Sequence, residues 1–488
     1  MASITKSHDQ LHVFFFPFMS PGHQIPMIEI ASILASHGVK ATVISTPQNV
    51  SRFEGTINRD DQQLINLLLF DFPSAAANLP LNCENLDTIP SRNLSYNFSK
   101  AIMMLQSQAD DFVRQYQPDA IISDLNIPWT AEIAQKYGIP RLVFHGTCCF
   151  SLSLSMAASL HKPNVQVNSD KEPFLVPGLP EPVYITLAQM PDRFFGNTGL
   201  EEFFQKFIEA ERHTHGAVAN TFFEIEPEYV KHYEKVTGKP VYPVGPVSLF
   251  NAKSIDVADR GNKPSVDKDR CISWLDSRKP NSVLYVCFGS ICESAESQLL
   301  EIALGLESSK ASFIWVIRDH RHGSGEFLQK DFEERVKDRG LIIKGWAPQV
   351  LILNHPAVGG FMTHCGWNSV LESVSAGIPM ITWPLFAEQF YNENFVLNHL
   401  KIGVAIGVET GLAWGEEEKN GVLINRDRVA KVVTQFMNGN DEVEGMRKRV
   451  RQFSETGKMA VGQSGSSYIN IGLLIDDLLN QKEKRLSE

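Results

Sequence analysis

The 488-residue sequence contains no run of the ~18 apolar residues that a membrane-spanning helix requires. Positive charge is in deficit. With 45 Lys and Arg against 56 Asp and Glu, the net charge is −11, which argues against nucleic acid or an anionic membrane surface as partner, since both need a basic face. Cysteine is sparse and scattered, at positions 83, 148, 149, 271, 287, 292 and 365, without the repeated short spacings of a zinc site. Reduced thiols in a cytoplasmic protein are expected. The apolar run Leu11–Met19 has no basic leader and no small-residue cleavage site, so it reads as a buried strand rather than a signal peptide. On the same grounds the sequons at Asn49, Asn93 and Asn97 read as chance. No G-x-x-x-x-G-K-[ST], no G-x-G-x-x-G after a strand, no H-E-x-x-H and no G-x-S-x-G occurs. P-loop, ordinary dinucleotide-binding, zincin and serine-hydrolase chemistries thereby lose their main support.

What is present is 43% hydrophobic and 21% charged, enough apolar material for folded cores. Single cores stop growing near ~250–300 residues, so two domains are expected. Short β-rich runs alternate with amphipathic stretches almost throughout, the pattern of βαβ units and parallel sheets. HVFFFPF, KATVIST, INLLLFDF, DAIISD and RLVFHG predict strands in the first half, with IPMIEIASILASHG as a helix closed by Gly38. SVLYVCFGS, ASFIWVIR, GGFMTH and PMITWP predict strands in the second, with helices over SAESQLLEIALGLESS and WNSVLESVSAG. Residues 251–269 are polar and aperiodic and predict a linker between domains at 1–250 and 270–464; residues 465–488 predict a final amphipathic helix.

In parallel α/β sheets, ligands lie beyond the carboxyl ends of the strands, so strand-to-helix loops are where chemistry is sought. Three such loops stand out. Met19-Ser-Pro-Gly-His23 places an imidazole beside a glycine; on these residues alone a solvent-exposed loop histidine is equally consistent. Asp124 ends DAIISD, where it could orient a histidine or simply cap the following helix. Thr363-His364-Cys365-Gly366-Trp367-Asn368-Ser369 opens a helix containing Glu372, a helix start suited to an anion; a His-X-Cys metal site lacks further ligands.

The block WAPQVLILNHPAVGGFMTHCGWNSVLESVSAGIPMITWPLFAEQ, from Trp346 to Gln389, resembles the signature box of plant secondary-product UDP-glycosyltransferases. FPFMSPGH, SDLNIPW, FHGT, VGPV and CFGS extend the likeness over most of the chain. Members acting on triterpenoids, steroids or flavonoids are the nearest in character. The resemblance implies two facing Rossmann-like, doubly wound domains (the GT-B fold), with the acceptor held mainly by the first and the UDP-sugar by the second, and the last helix crossing back to the first. It implies that Trp346 stacks on uracil, Ala347 and Gln349 meet its edge, and Glu372 takes the ribose hydroxyls. His364, Trp367, Asn368, Ser369 and Ser290 surround the phosphates, and Glu388 and Gln389 bond the sugar.

The same resemblance makes His23 the base and Asp124 its orienting acid in a single inverting displacement that yields a β-glycoside. No metal or cofactor is required, the UDP-sugar being a co-substrate, and a monomer is expected. Position 388 is Glu where many relatives have Asp, which moves the carboxylate. Gln389, with no Arg in IPMIEIASILAS to pair a glucuronate, points to glucose over galactose or glucuronate. A small lipophilic acceptor is expected from the apolar loops 81–97 and 162–197, including Phe174, Phe194 and Phe195. The competing readings are a nucleotide-dependent oxidoreductase and a silent UDP-sugar binder.

Overall fold

The structure, a computed structural model, describes residues 10–57, 63–163, 167–191, 199–250, 261–262, 264–266, 268–292, 294–318, 331–415 and 417–487. Phe194, Phe195 and most of the expected linker lie outside them. The first sheet contains β1 (His12–Phe16), β2 (Lys40–Ser45), β3 (Ile65–Leu69), β4 (Ala120–Asp124), β5 (Arg141–His145), β8 (Gly216–Ala219) and β9 (Val241–Pro243), with β6 (Phe174–Val176) and β7 (Val183–Ile185) forming a separate antiparallel hairpin. The second contains β10 (Val283–Cys287), β11 (Ser312–Ile317), β12 (Gly340–Lys344), β13 (Val358–Thr363), β14 (Met380–Thr382) and β15 (Gly403–Ala405). Their orders are 3-2-1-4-5-8-9 and 12-11-10-13-14-15, and the pairings within both are parallel.

The apolar runs form central strands because both faces of each are covered. Successive side chains of β1 alternate faces: Val13 and Phe15 enter one core with the helix Pro21–Ser36, while Phe14 and Phe16 enter another with Trp129. In β10, Val283 and Tyr285 part from Leu284 and Val286 in the same way. Each fully buried Phe stabilises by roughly 1.5–3 kcal/mol, so a one-residue slip, which would reverse every side chain, is strongly disfavoured.

Strand order reverses between β1 and β4 in the first sheet and between β10 and β13 in the second, and the crevice at each reversal is where a ligand fits. The final helix Ser466–Ser487 returns to the first sheet. Ile471, Leu474 and Leu478 join its core, and Asp477 accepts from Tyr242 Oη at 2.8 Å and pairs with His215 at 2.7 Å.

Two expectations need correction. His23 is in the first turn of the helix Pro21–Ser36, not in a loop before it, because Pro21 presets a helical φ at N1 while Ser20 (φ −147°) is still extended. Within the polar stretch, the helix Lys268–Asp276 starts before residue 270, with Cys271 and Leu275 buried as its anchors.

Candidate active site

At the first reversal, β4 ends on Asp124, which is fully buried, and the helix after β1 brings His23 over it. His23 Nδ1 lies 2.7 Å from Asp124 Oδ2. Asp124 Oδ1 accepts from the backbone and side-chain N–H groups of Asn126, both at 2.9 Å, so the carboxylate is held at both oxygens. The local turn and the histidine contact therefore coexist. Phe18 meets the imidazole edge-on at 5.5 Å, and Gly146 passes so close that a Cβ there would stand 3.3 Å from the ring. Burial alone lowers the His23 pKa; the charge and hydrogen bond of Asp124, with a smaller contribution from Glu388, outweigh it and leave the pKa raised. A carboxylate accepting from Nδ1–H leaves the lone pair on Nε2, directed away from Asp124.

At the second reversal, the loops after β10 and β13 meet over His364. Gly289 (φ +85°) and Gly366 both press on its ring, and a Cβ on either would stand 2.5 Å from Nε2. Burial pushes the His364 pKa down to about 4, so the imidazole is neutral, and its Nδ1 is buried without a protein partner. The helix Trp367–Ala376 follows with Gly366 at its N-cap and no side-chain cap, so its first N–H groups and its dipole are available to an anion. Gln349 Nε2 donates to Ser369 Oγ (3.1 Å) and Glu372 Oε2 (2.8 Å), tying this helix to the loop of Trp346. Gln389 Oε1 accepts from the backbone of Leu385 (2.8 Å) and Phe386 (3.1 Å), leaving its NH₂ to donate elsewhere.

A cleft of about 530 Å³ joins the two reversals, lined by every residue expected at the site except Asp124, which lies behind His23. The tertiary contacts nonetheless divide these residues. Trp367 is buried, and its Nε1 donates to Asn220 O at 2.8 Å in the first domain. Asn368 Nδ2 donates to Gly22 O at 2.5 Å. Both side chains thus join the two domains at the floor of the cleft, and it is the backbone of this turn that remains to meet phosphate. Asp87, Asn262, Ser265 and Arg318 also line the cleft, unanticipated from the sequence. Arg318 was findable, since it follows β11 at its carboxyl end; Asp87 and Asn262 lie in irregular segments with no such signal.

Among the described residues no group of three or more His, Cys, Asp and Glu could hold a metal ion, and no helix is long and apolar enough to cross a membrane. All seven cysteines are free thiols.

The family described as UDP-glucoronosyl and UDP-glucosyl transferase matches residues 257–410. UDP-glycosyltransferase 73C4 of Arabidopsis thaliana is 44% identical, covering 98% of both chains. The scopoletin glucosyltransferase of Nicotiana tabacum is 44% identical over 96% of this chain and 98% of its own. Among solved structures, Glycyrrhiza uralensis UGT73P12 complexed with glycyrrhetinic acid 3-O-monoglucuronide superposes with a TM-score of 0.92 at 40% identity, covering 98% of this chain and 97% of that one. Medicago truncatula UGT71G1 complexed with UDP-glucose gives 0.79 at 26% identity, covering 96% and 98%. With its paired parallel sheets forming the GT-B fold and its likeness extending over nearly the full length of such relatives, the chain belongs to the plant UDP-glycosyltransferases and is an enzyme of that family.

Proposed function

We propose that the enzyme transfers glucose from UDP-glucose to a hydroxyl of a small lipophilic acceptor with inversion, giving a β-glucoside. The observation that carries this is the His23–Asp124 pair at 2.7 Å facing, across one cleft, the uncapped helix start at Trp367. Neutral His23 takes the hydroxyl proton on Nε2 as the acceptor oxygen attacks the anomeric carbon. The bond from that carbon to the β-phosphate oxygen breaks, UDP departs, and Asp124 stabilises the imidazolium. Helix N–H groups and neutral His364 take the charge developing on the leaving phosphate. Trp346 stacks on uracil with Ala347 and Gln349 at its edge, and Glu372 receives the ribose. Ser290 and Ser369 meet the phosphates, and Glu388 and Gln389 the sugar. No metal is needed in this scheme.

A second cavity, of about 750 Å³, supports a lipophilic acceptor. Leu125, Val143, Leu152, Met156, Phe204 and Ile208 line it, and its inner wall includes Leu125 and His145, the chain neighbours of Asp124 and Gly146. Its size and apolar lining suit a polycyclic scaffold of triterpenoid, steroid or flavonoid type. A relative named for scopoletin and a neighbour crystallised with a triterpenoid glucuronide bracket that range. The same proposal includes domains meeting at residues 251–269, a monomer, and residence in the cytoplasm, which suits the free thiols.

UDP-glucose, UDP-galactose and UDP-glucuronate, each incubated with a panel of triterpenoids, steroids and flavonoids, will test this by product mass and by the anomeric proton coupling. A β-glucoside from UDP-glucose is expected. An α-linked product would refute the single displacement, and a galactoside or glucuronide formed in preference would replace the donor.

A further inference from the structure

At the mouth of the cleft, three separate parts of the chain converge on Asp87. Arg52 holds its carboxylate with two bonds, Nη1 to Oδ2 at 2.6 Å and Nη2 to Oδ1 at 2.8 Å. Asn262, at the described end of the interdomain segment, donates to Oδ2 at 3.4 Å. Arg318, from the second domain, donates through Nη2 to the Asp87 backbone carbonyl at 3.1 Å. The turn carrying Asp87 is itself rigidly set. Asn85 Oδ1 accepts from Asp87 N at 3.1 Å, and Asn85 Nδ2 donates to Asn49 Oδ1 at 2.7 Å and Gln24 Oε1 at 3.0 Å in a buried network.

The interdomain segment is fastened to the nucleotide end of the same mouth. Trp346 N donates to Ser265 Oγ at 2.9 Å, and Ser265 N donates to Trp346 O at 2.8 Å. Gly261 sits between the Trp346 ring and Ile25 of the first domain, where a Cβ would stand 2.5 and 2.9 Å from them. Arg318 is beside this loop in the sheet, since Gly345 N donates to Ile317 O at 2.7 Å.

The floor and rim of the cleft are therefore joined differently. The floor bonds of Trp367 and Asn368 are buried or nearly so and are made by the very turn that meets the phosphates. The rim rests on the Arg318 contact and the Asn262 contact, at the solvent-facing side of the opening. Breaking the rim opens a path for the nucleotide while the floor persists as the pivot.

We propose that the Arg318–Asp87 contact is a rim latch that retains the nucleotide, with Asp87 as its hub and Arg52 as the strut that holds the hub in place. It rests on the cleft being the UDP-sugar site. Arg318 acts here as a positioning residue, through Asp87, rather than on the reacting atoms. Arg52 lies outside the cleft lining, which separates a latch from a direct contact: its loss reaches the nucleotide through Asp87.

Stopped-flow tryptophan fluorescence, with circular dichroism to verify folding, will measure UDP release from the full-length native protein and from Arg318→Met, Arg318→Lys and Arg52→Met. Release about fivefold to tenfold faster is expected for Arg318→Met, as for one hydrogen bond from a partly exposed cation. Arg318→Lys, which still offers a donor to the carbonyl, should stay near native, and Arg52→Met should follow Arg318→Met. The KM for UDP-glucose should rise in step with release while kcat does not fall. Native release from Arg318→Met overturns the latch, and so does native release from Arg52→Met beside fast release from Arg318→Met, which would make Arg318 a direct ligand. If the native protein binds neither UDP nor UDP-glucose, the donor assignment fails and the latch with it.

Discussion

The two strand-order reversals have the same topology and opposite electrostatics. The β1/β4 reversal brings two ionisable groups together: a fully buried carboxylate and a histidine whose pKa it raises. The β10/β13 reversal assembles a neutral histidine, glycines and an uncapped helix start. One is built to hold a proton and the other to hold an anion. A doubly wound sheet thus supplies the location of a site and leaves its chemistry to the residues at the strand ends.

The contrast is tested most severely at its acidic half. His23→Ala should lower kcat/KM by about a thousandfold or more, the upper range for loss of a general base, while the Kd for UDP stays within about twofold. Retained turnover in that variant would remove His23 from the mechanism, and lost UDP affinity would show that the two reversals are not separable. Asp124→Asn should cost on the order of a hundredfold and also change the pH profile. The native pKa of His23 is raised, so protonation should cut kcat/KM along an acid limb centred above pH 6.5. Removing the Asp124 charge deletes the interaction that favours the imidazolium, so that limb should move to lower pH; a limb that stays put would assign it to another group.

The anion-binding half should respond in KM rather than kcat. Trp346→Ala should raise the KM for UDP-glucose about tenfold to a hundredfold, the range for losing one base-stacking partner, with a smaller change in kcat. A kcat effect larger than the KM effect would place Trp346 in the chemistry instead. Ser265→Ala should give the smallest change, roughly threefold to fivefold in the same KM, because it removes a single neutral hydrogen bond to the Trp346 backbone. Direct calorimetry of UDP binding will check it, and no change would mean that the loop is held by its other contacts.

The strands were legible because burial on both faces demands continuous apolar runs: HVFFF, AIISD and SFIWVI lie within the predicted segments. The helix from Trp367 ended where its glycine implied, since Gly377 adopts the left-handed φ of +72° that favours glycine. The start of the first helix was misplaced because Pro21 and Gly22 read equally well as loop residues. Trp367 and Asn368 were recognisable as members of the donor motif, but their side-chain partners, Asn220 and Gly22, lie far away in the sequence. Asp87 carried no local signal because its importance comes from Arg52, Asn262 and Arg318 meeting there.

The sequence by itself determined two parallel-sheet domains, the donor motif and the candidate pair His23 and Asp124, because periodicity and strand-end position are local properties of the chain. Only the tertiary structure decided that His23 and Asp124 lie 2.7 Å apart, that Trp367 and Asn368 turn their side chains to the other domain, and that Arg318 meets Asp87 at the rim. Those contacts join segments separated by roughly a hundred residues or more, and a hydrogen bond that depends on tenths of an ångström is set by the packing of both domains, not by the residues that make it.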